Sequence, residues 1–110
     1  MPRELTSQQN KYLRGLAHRL KPIVWIGKNG LTTEVVASVD RALEKHELIK
    51  VKFVDQKEKA HKDHLIASIC RQTKCVKAGA IGHTAILYRE AREASRRKIQ
   101  LPTAPLIPRA

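Results

Sequence analysis

Groups able to do chemistry are sparse in this chain. The first candidate is Gly27-Lys28-Asn29-Gly30, between the apolar run Ile23-Val24-Trp25-Ile26 and Leu31-Thr32-Thr33. Glycine has no Cβ, so backbone N–H groups beside it can approach an anion closely, and Lys28 adds a movable positive charge at the tip. The chemistry on offer is phosphate binding. Taken alone, a Gly-x-x-Gly of this kind is more often a plain turn, since Asn-Gly is an ordinary turn dipeptide. The longer glycine pattern and Lys-Ser/Thr ending of a P-loop are absent, as is the GxGxxG of a dinucleotide site, so no nucleotide cofactor is expected.

The remaining candidates are weaker. His61, Asp63 and His64 lie within one turn of an expected helix, but zinc needs at least three well-placed protein ligands, and no Cys or His supplies a third nitrogen or sulfur. They read as surface residues of a basic helix. Cys70 and Cys75 form neither a CxxC nor part of a second pair, and read as free, reduced thiols. His18 and His46 fall at helix ends, where a cation complements the dipole. No nucleophile, base and orienting group can be assembled, and neither paired carboxylates nor a histidine pair is set up for RNA hydrolysis. The chain is therefore expected to be a non-enzyme without metal, cofactor or small-molecule substrate.

The elements that must hold the loop follow from periodicity. Thr6-Ser7-Gln8-Gln9 has the form of a capping box, and Leu13, Leu16, Ala17 and Leu20 follow at helical spacing. Gly15 within that pattern is a possible close-packing point. Pro22 ends the helix, and residues 23–26 form a strand in which Trp25 is expected in the core. Thr32 N-caps a second helix over 33–46, with Glu34 in its first turn as a dipole partner. Residues 48–54 alternate apolar and basic, which predicts a strand with Lys50 and Lys52 on one face. A third helix follows from about residue 55 to 73. Residues 76–81 and 84–88 around Gly82-His83 form a hairpin. The order α-β-α-β-α-β-β predicts a single α/β sandwich with a four-stranded mixed sheet and parallel first strands. Residues 1–98 form the domain, and residues 99–110, with three prolines, read as a flexible tail outside the core.

Length and charge bound the rest. With 110 residues and 42% hydrophobic content the chain fits one domain with a modest core. It has no run of about eighteen apolar residues and no signal-peptide layout at Met1, so a cytoplasmic protein without membrane attachment is expected. Twenty-two Lys and Arg against ten Asp and Glu give a net charge of +12 and a pI near 10.2, which in so small a domain implies a polyanionic partner. The surplus is uneven. Residues 31–47 hold two basic and four acidic residues, whereas residues 1–30 hold six and one and residues 48–89 hold nine and three. A polarised surface follows.

With that order of elements, the chain resembles a bacterial stand-alone member of the CRM-domain family. The resemblance rests on Leu13-Arg14-Gly15-Leu16-Ala17-His18, Leu20-Lys21-Pro22, Gly27-Lys28-Asn29-Gly30-Leu31-Thr32, the stretch from Ala42 to Lys52, and Ile81-Gly82-His83-Thr84-Ala85-Ile86-Leu87-Tyr88-Arg89. It implies a fold similar to the C-terminal domain of translation initiation factor three and an RNA-contacting GxxG loop. It also implies association with ribosomal RNA of the large-subunit precursor as an assembly factor. By that resemblance Gly27, Lys28, Asn29 and Gly30 are assigned to RNA. Arg14, Arg19 and Lys21, expected beside the loop, and Lys50 and Lys52 join them on charge. With Trp25 and Phe53 placed inside, binding by charge and shape with weak base discrimination is expected. A monomer is expected. The alternative is a protein-interaction module holding a basic ribosomal partner through the net-acidic helix 33–46.

Overall fold

The computed structural model describes residues 5–102. Helix α1 (Ser7–Ala17) leads into β1 (Val24–Ile26), α2 (Thr33–His46), β2 (Leu48–Phe53), α3 (Lys59–Thr73) and the hairpin β3 (Val76–Ile81) and β4 (Thr84–Tyr88). A short 3-10 turn, Ala94–Arg96, follows. The four strands form one sheet in the order β1-β2-β4-β3. β1 runs parallel to β2, while β4 is antiparallel to both neighbours. The element order and sheet expected from the sequence are present.

Local chemistry explains where the helices start. Thr6 accepts from the Gln9 amide, and the Gln9 side chain returns to the Thr6 amide, so two of the four unpaired N–H groups of the first turn are satisfied reciprocally. Thr32 Oγ1 accepts from Val35 N at 3.1 Å and starts α2. α3 begins at Lys59, later than expected, because residues 54–58 serve as a linker whose Gln56 is buried.

The sheet separates two cores. On one face Val39 and Leu43 of α2 and Ile66 and Ile69 of α3 pack on Val24, Ile26, Ile49, Val51, Phe53, Ala85 and Leu87. On the other, Leu13 and Ala17 of α1 pack on Leu48, Ala78, Ile86 and Tyr88. Alternation along β2 sends Ile49, Val51 and Phe53 to the first core and Leu48, Lys50 and Lys52 to the other face. Each large side chain fully buried this way contributes roughly 1.5–3 kcal/mol.

Three packing expectations are corrected. Leu16 and Leu20 are exposed: α1 turns Leu13 and Ala17 to the sheet, and it ends at Ala17, before the expected stop at Pro22, so Leu20 lies outside the helix. No atom comes within 4 Å of a Cβ built at Gly15, so that glycine makes no close helix contact. The chain also does not leave the core after residue 98. Ile99 and Leu101 pack on the α1 core, and Gln9 Nε2 donates to Pro102 O at 3.1 Å. The fastening is Glu47, 1% exposed at the end of α2, whose carboxylate accepts from the amides of Ala91, Lys98 and Ile99 at 2.7, 2.6 and 3.0 Å. The rest of the expected tail, residues 103–110, lies outside the described residues.

Candidate nucleic-acid interface

The glycine loop leaves the C-terminal end of β1, where Ile26 stands in register with Phe53. A backbone bond from Gly30 N to Gly27 O at 3.0 Å closes a tight turn, and Thr32 N donates to Gly30 O at 3.1 Å before the helix begins. Gly30 has φ +68°, a left-handed conformation that costs little only for glycine. Gly27 has no such need, and the space beside it is open. The base of the loop is held from behind. Gln56 Nε2 donates to Gly27 O at 2.9 Å and Val54 N donates to Ile26 O at 2.9 Å. Lys28 and Asn29 are exposed at the tip. Among the described residues, no hydrogen bond or ion pair holds the Lys28 side chain.

The five other basic candidates are spread more widely than the sequence implied. Lys52 stands opposite Trp25 on the neighbouring strand, and Ile23 N donates to Lys50 O, so both lysines follow β1 up toward the loop. Arg19 and Lys21 lie before β1 begins, at the end of that strand opposite the loop. Arg14 crosses β3: a Cβ built on Gly79 would lie 2.7 Å from Arg14 Cδ and 2.9 Å from Cγ. Since β3 and β1 are opposite edges of the sheet, Arg14 sits three strand spacings, about 14 Å, from the strand that carries the loop. The expectation that Arg14, Arg19 and Lys21 flank the loop is corrected. Chain proximity to Gly27 does not survive the sheet order.

Pairing divides the charges by region. Arg89 holds Asp40 and Glu44, Arg96 also holds Glu44, Arg97 holds Glu90, and Lys59 holds Asp63. Among the described residues, Lys28, Arg14, Arg19, Lys21, Lys50 and Lys52 make no ion pair. The ion pairs thus engage acids on the α2 and C-terminal side and on α3, while the candidate cations of the loop, α1, the α1–β1 connection and β2 have no acid partner among the described residues. Even a free charge of this kind is partly screened within about 8 Å at physiological salt, so attraction depends on several acting together.

Sequence reasoning missed three features here. Trp25 is 55% exposed instead of buried. β1 has one face on the α2/α3 core, through Val24 and Ile26, and α1 packs over β3, β2 and β4, so the other face of β1 is uncovered. Burial alternates along Val24, Trp25 and Ile26, but all three are apolar, so the sequence carried no signal of it. Gln56, the anchor of the loop, has no motif. Lys62 and Lys77 line a groove with Arg14 at the hairpin, and Lys62 Nζ reaches Gly82 O at 3.0 Å. Only the fold brings these distant residues together.

The other chemical candidates sit apart from this surface. Asp63 is held by Lys59 Nζ at 2.8 Å, which lowers its pKa, and His61 and His64 are exposed. No group of three His, Cys, Asp or Glu able to hold a metal occurs among the described residues. Cys70 and Cys75 are free thiols with sulfurs 3.6 Å apart. Their hydrogen bond, with burial behind it, raises the pKa of Cys70, and the same bond lowers that of Cys75 against the opposing effect of burial. Among the described residues no helix is long and apolar enough to cross a membrane.

Known proteins match this architecture along nearly its whole length. The profile of the CRS1 / YhbY (CRM) domain matches residues 5–89. A Haemophilus influenzae protein described as an RNA-binding protein is 47% identical over 98 residues, covering 89% of this chain and 95% of its own. The Bacillus subtilis protein YqeI, described as a probable RNA-binding protein, is 34% identical over 98 residues, covering 89% of this chain and 99% of its own. The solution structure of SAV1595 from Staphylococcus aureus, described as a candidate RNA-binding protein, superimposes with a TM-score of 0.77 at 36% identity, covering 90% of this chain and all of the other.

Proposed function

Because the chain belongs to the CRS1 / YhbY (CRM) domain family, we propose that it binds RNA through residues 27–30 and the unpaired lysines beside them. The RNA in this reading is ribosomal RNA of the large-subunit precursor, and the protein acts as a binding factor in assembly and not as an enzyme. The observation that carries the RNA reading is the exposed Lys28-Asn29 tip, based on Gly30 and Gln56, with Lys52 and then Lys50 following on the strand beside β1 and no acid paired to them. Phosphates meet backbone amides and lysines there without displacing an internal ion pair. The ribosomal target is supported by the family resemblance.

Two measurements test this reading. With about five phosphates neutralised, log K falls with log salt at a slope of about 3 to 4. A double substitution Lys28→Asp and Asn29→Asp lowers RNA affinity and reduces that slope while thermal stability is unchanged. Equal affinity for the variant overturns the loop assignment. Sedimentation of cell extract tests the ribosomal part, with the protein expected alongside large-subunit precursors. A protein found only in the free fraction removes the assembly role and leaves the RNA reading standing.

The alternative, a basic protein partner on the acidic helix, fits less well. Asp40 and Glu44 already face Arg89 and Arg96 within the chain. Only Glu34 of the three exposed acids is uncommitted among the described residues. Charge reversal at Glu34 is the decisive substitution for that reading.

A further inference from the structure

We propose that a single-stranded stretch of RNA lies on the uncovered half of the sheet, with an unpaired base stacked on Trp25 and its phosphates against Lys52 and Lys50. This rests on the RNA-binding reading above and adds to it a second contact of a different kind. The loop offers charge to any phosphate backbone, whereas a stacking face selects bases that are free of a duplex.

The surface is defined by register. Trp25 pairs with Lys52, Lys52 with Thr84, and Thr84 with Ile81, so one row of side chains crosses all four strands. Alternation puts that row on the α1 face, since Leu48, Ile86 and Tyr88 of the same parity pack under α1. α1 stops short of the row. Trp25 is 55% and Ile81 69% exposed, and Ile23 and Val54 are exposed beside Trp25. A row of this kind, with exposed Trp25 at one end and Lys52 beside it, is open to a planar, weakly polar ring carrying a negative backbone.

Charge decides between occupants. The four strands contain Lys50, Lys52 and Lys77 and no Asp or Glu. Among the described residues neither Lys50 nor Lys52 is ion-paired. The acid near Trp25 is Glu34, across a shallow cleft at the outer edge of β1 with Thr32 and Val35, and not on this face. A protein partner would gain from the exposed apolar side chains around Trp25 but leave two lysines to be matched, while RNA satisfies both features. The row also lies next to the loop, because Trp25 is two residues before Gly27, so one strand of RNA reaches both contacts. Bases stack on aromatic rings regardless of sequence, which adds affinity without adding base discrimination.

The chain has a single tryptophan, so its fluorescence reports this contact alone. The experiment titrates the protein with a fluorescently labelled oligouridylate and with a fully paired RNA duplex, following RNA anisotropy and tryptophan emission together. Oligouridylate is expected to quench Trp25 in step with binding, and the duplex to bind with little quenching. Trp25→Ala is expected to weaken the single strand about 5- to 150-fold, the range for one stacked base, leave duplex affinity within about twofold, and be restored in large part by Trp25→Phe. Emission unchanged while anisotropy shows saturation overturns the proposal, and this result needs no variant to fold. Equal single-strand affinity for wild type and Trp25→Ala also overturns it. Loss of both RNAs on Lys28→Asp, with Trp25 silent throughout, sinks the stacking contact and keeps the loop. Absence of binding to either RNA by the wild type sinks the underlying reading as well.

Discussion

Gln56 Nε2 donates to the carbonyl of Gly27 at 2.9 Å, tying the linker before α3 to the first residue of the glycine turn. The donor is buried, so the bond is shielded from water and sets where the turn begins. Gln56→Ala should cost about 1–2 kcal/mol, as expected when a partly buried carbonyl loses its donor. Amide exchange at residues 27–30 should accelerate more than in the strands, and RNA affinity should fall although Gln56 itself is out of reach of a ligand. Hydrogen exchange by NMR separates this from global destabilisation.

The two glycines of the loop should respond differently to the same substitution. Gly30→Ala forces a side chain into φ +68° and should lower stability by about 1–2 kcal/mol. Gly27→Ala meets neither a positive φ nor a neighbour within 4 Å, and should leave the melting temperature unchanged. If Gly27 serves close approach of a phosphate, its alanine variant loses RNA affinity at full stability. Thermal melts paired with binding isotherms read both effects.

Glu47 should be the most sensitive polar residue in the chain. Its buried carboxylate accepts three backbone amides from the C-terminal segment, and its own backbone holds φ 64°. Glu47→Ala leaves three donors without their acceptor and should cost about 3 kcal/mol or more. Limited proteolysis should then cut between residues 90 and 102 well below the unfolding temperature. An unchanged digestion pattern would show that Ile99 and Leu101 hold that segment by themselves.

Arg14 depends on Gly79 for its place. A Cβ at that position would stand 2.7 Å from Arg14 Cδ, a separation that real atoms do not keep, so Gly79→Ala should turn Arg14 off β3. If Arg14 contacts RNA, the salt slope of binding should drop by about one, as it should for Arg14→Ala. A slope unchanged in both variants would remove Arg14 from the interface.

The sequence was most informative where a local rule acted alone. Thr6 and Thr32 announced two helix starts, the alternation around Lys50 and Lys52 announced β2, and Gly82-His83 announced the hairpin, because each depends on neighbours within a few residues. The exposure of Trp25 was not foreseen, since an aromatic residue in a short apolar run fits a buried strand equally well, and only the reach of α1 across the sheet decides. Arg14 was misplaced for a similar reason. Its distance from Gly27 depends on strand order, which places β3 and β1 at opposite edges. Nothing local singled out Glu47, and its role appears only when residues some forty to fifty positions later return to it.

The domain profile ends at residue 89, yet the segment beyond it closes over the α1 core and is clasped by Glu47. The packed structure therefore extends past the profile's boundary, as far as Pro102 among the described residues. A truncation guided by the boundary alone would strip Leu13, Ala17 and Tyr88 of part of their lid and strand a carboxylate in an apolar setting. Such a fragment should be prone to self-association, and poor RNA binding by it would report a broken scaffold and not a missing contact.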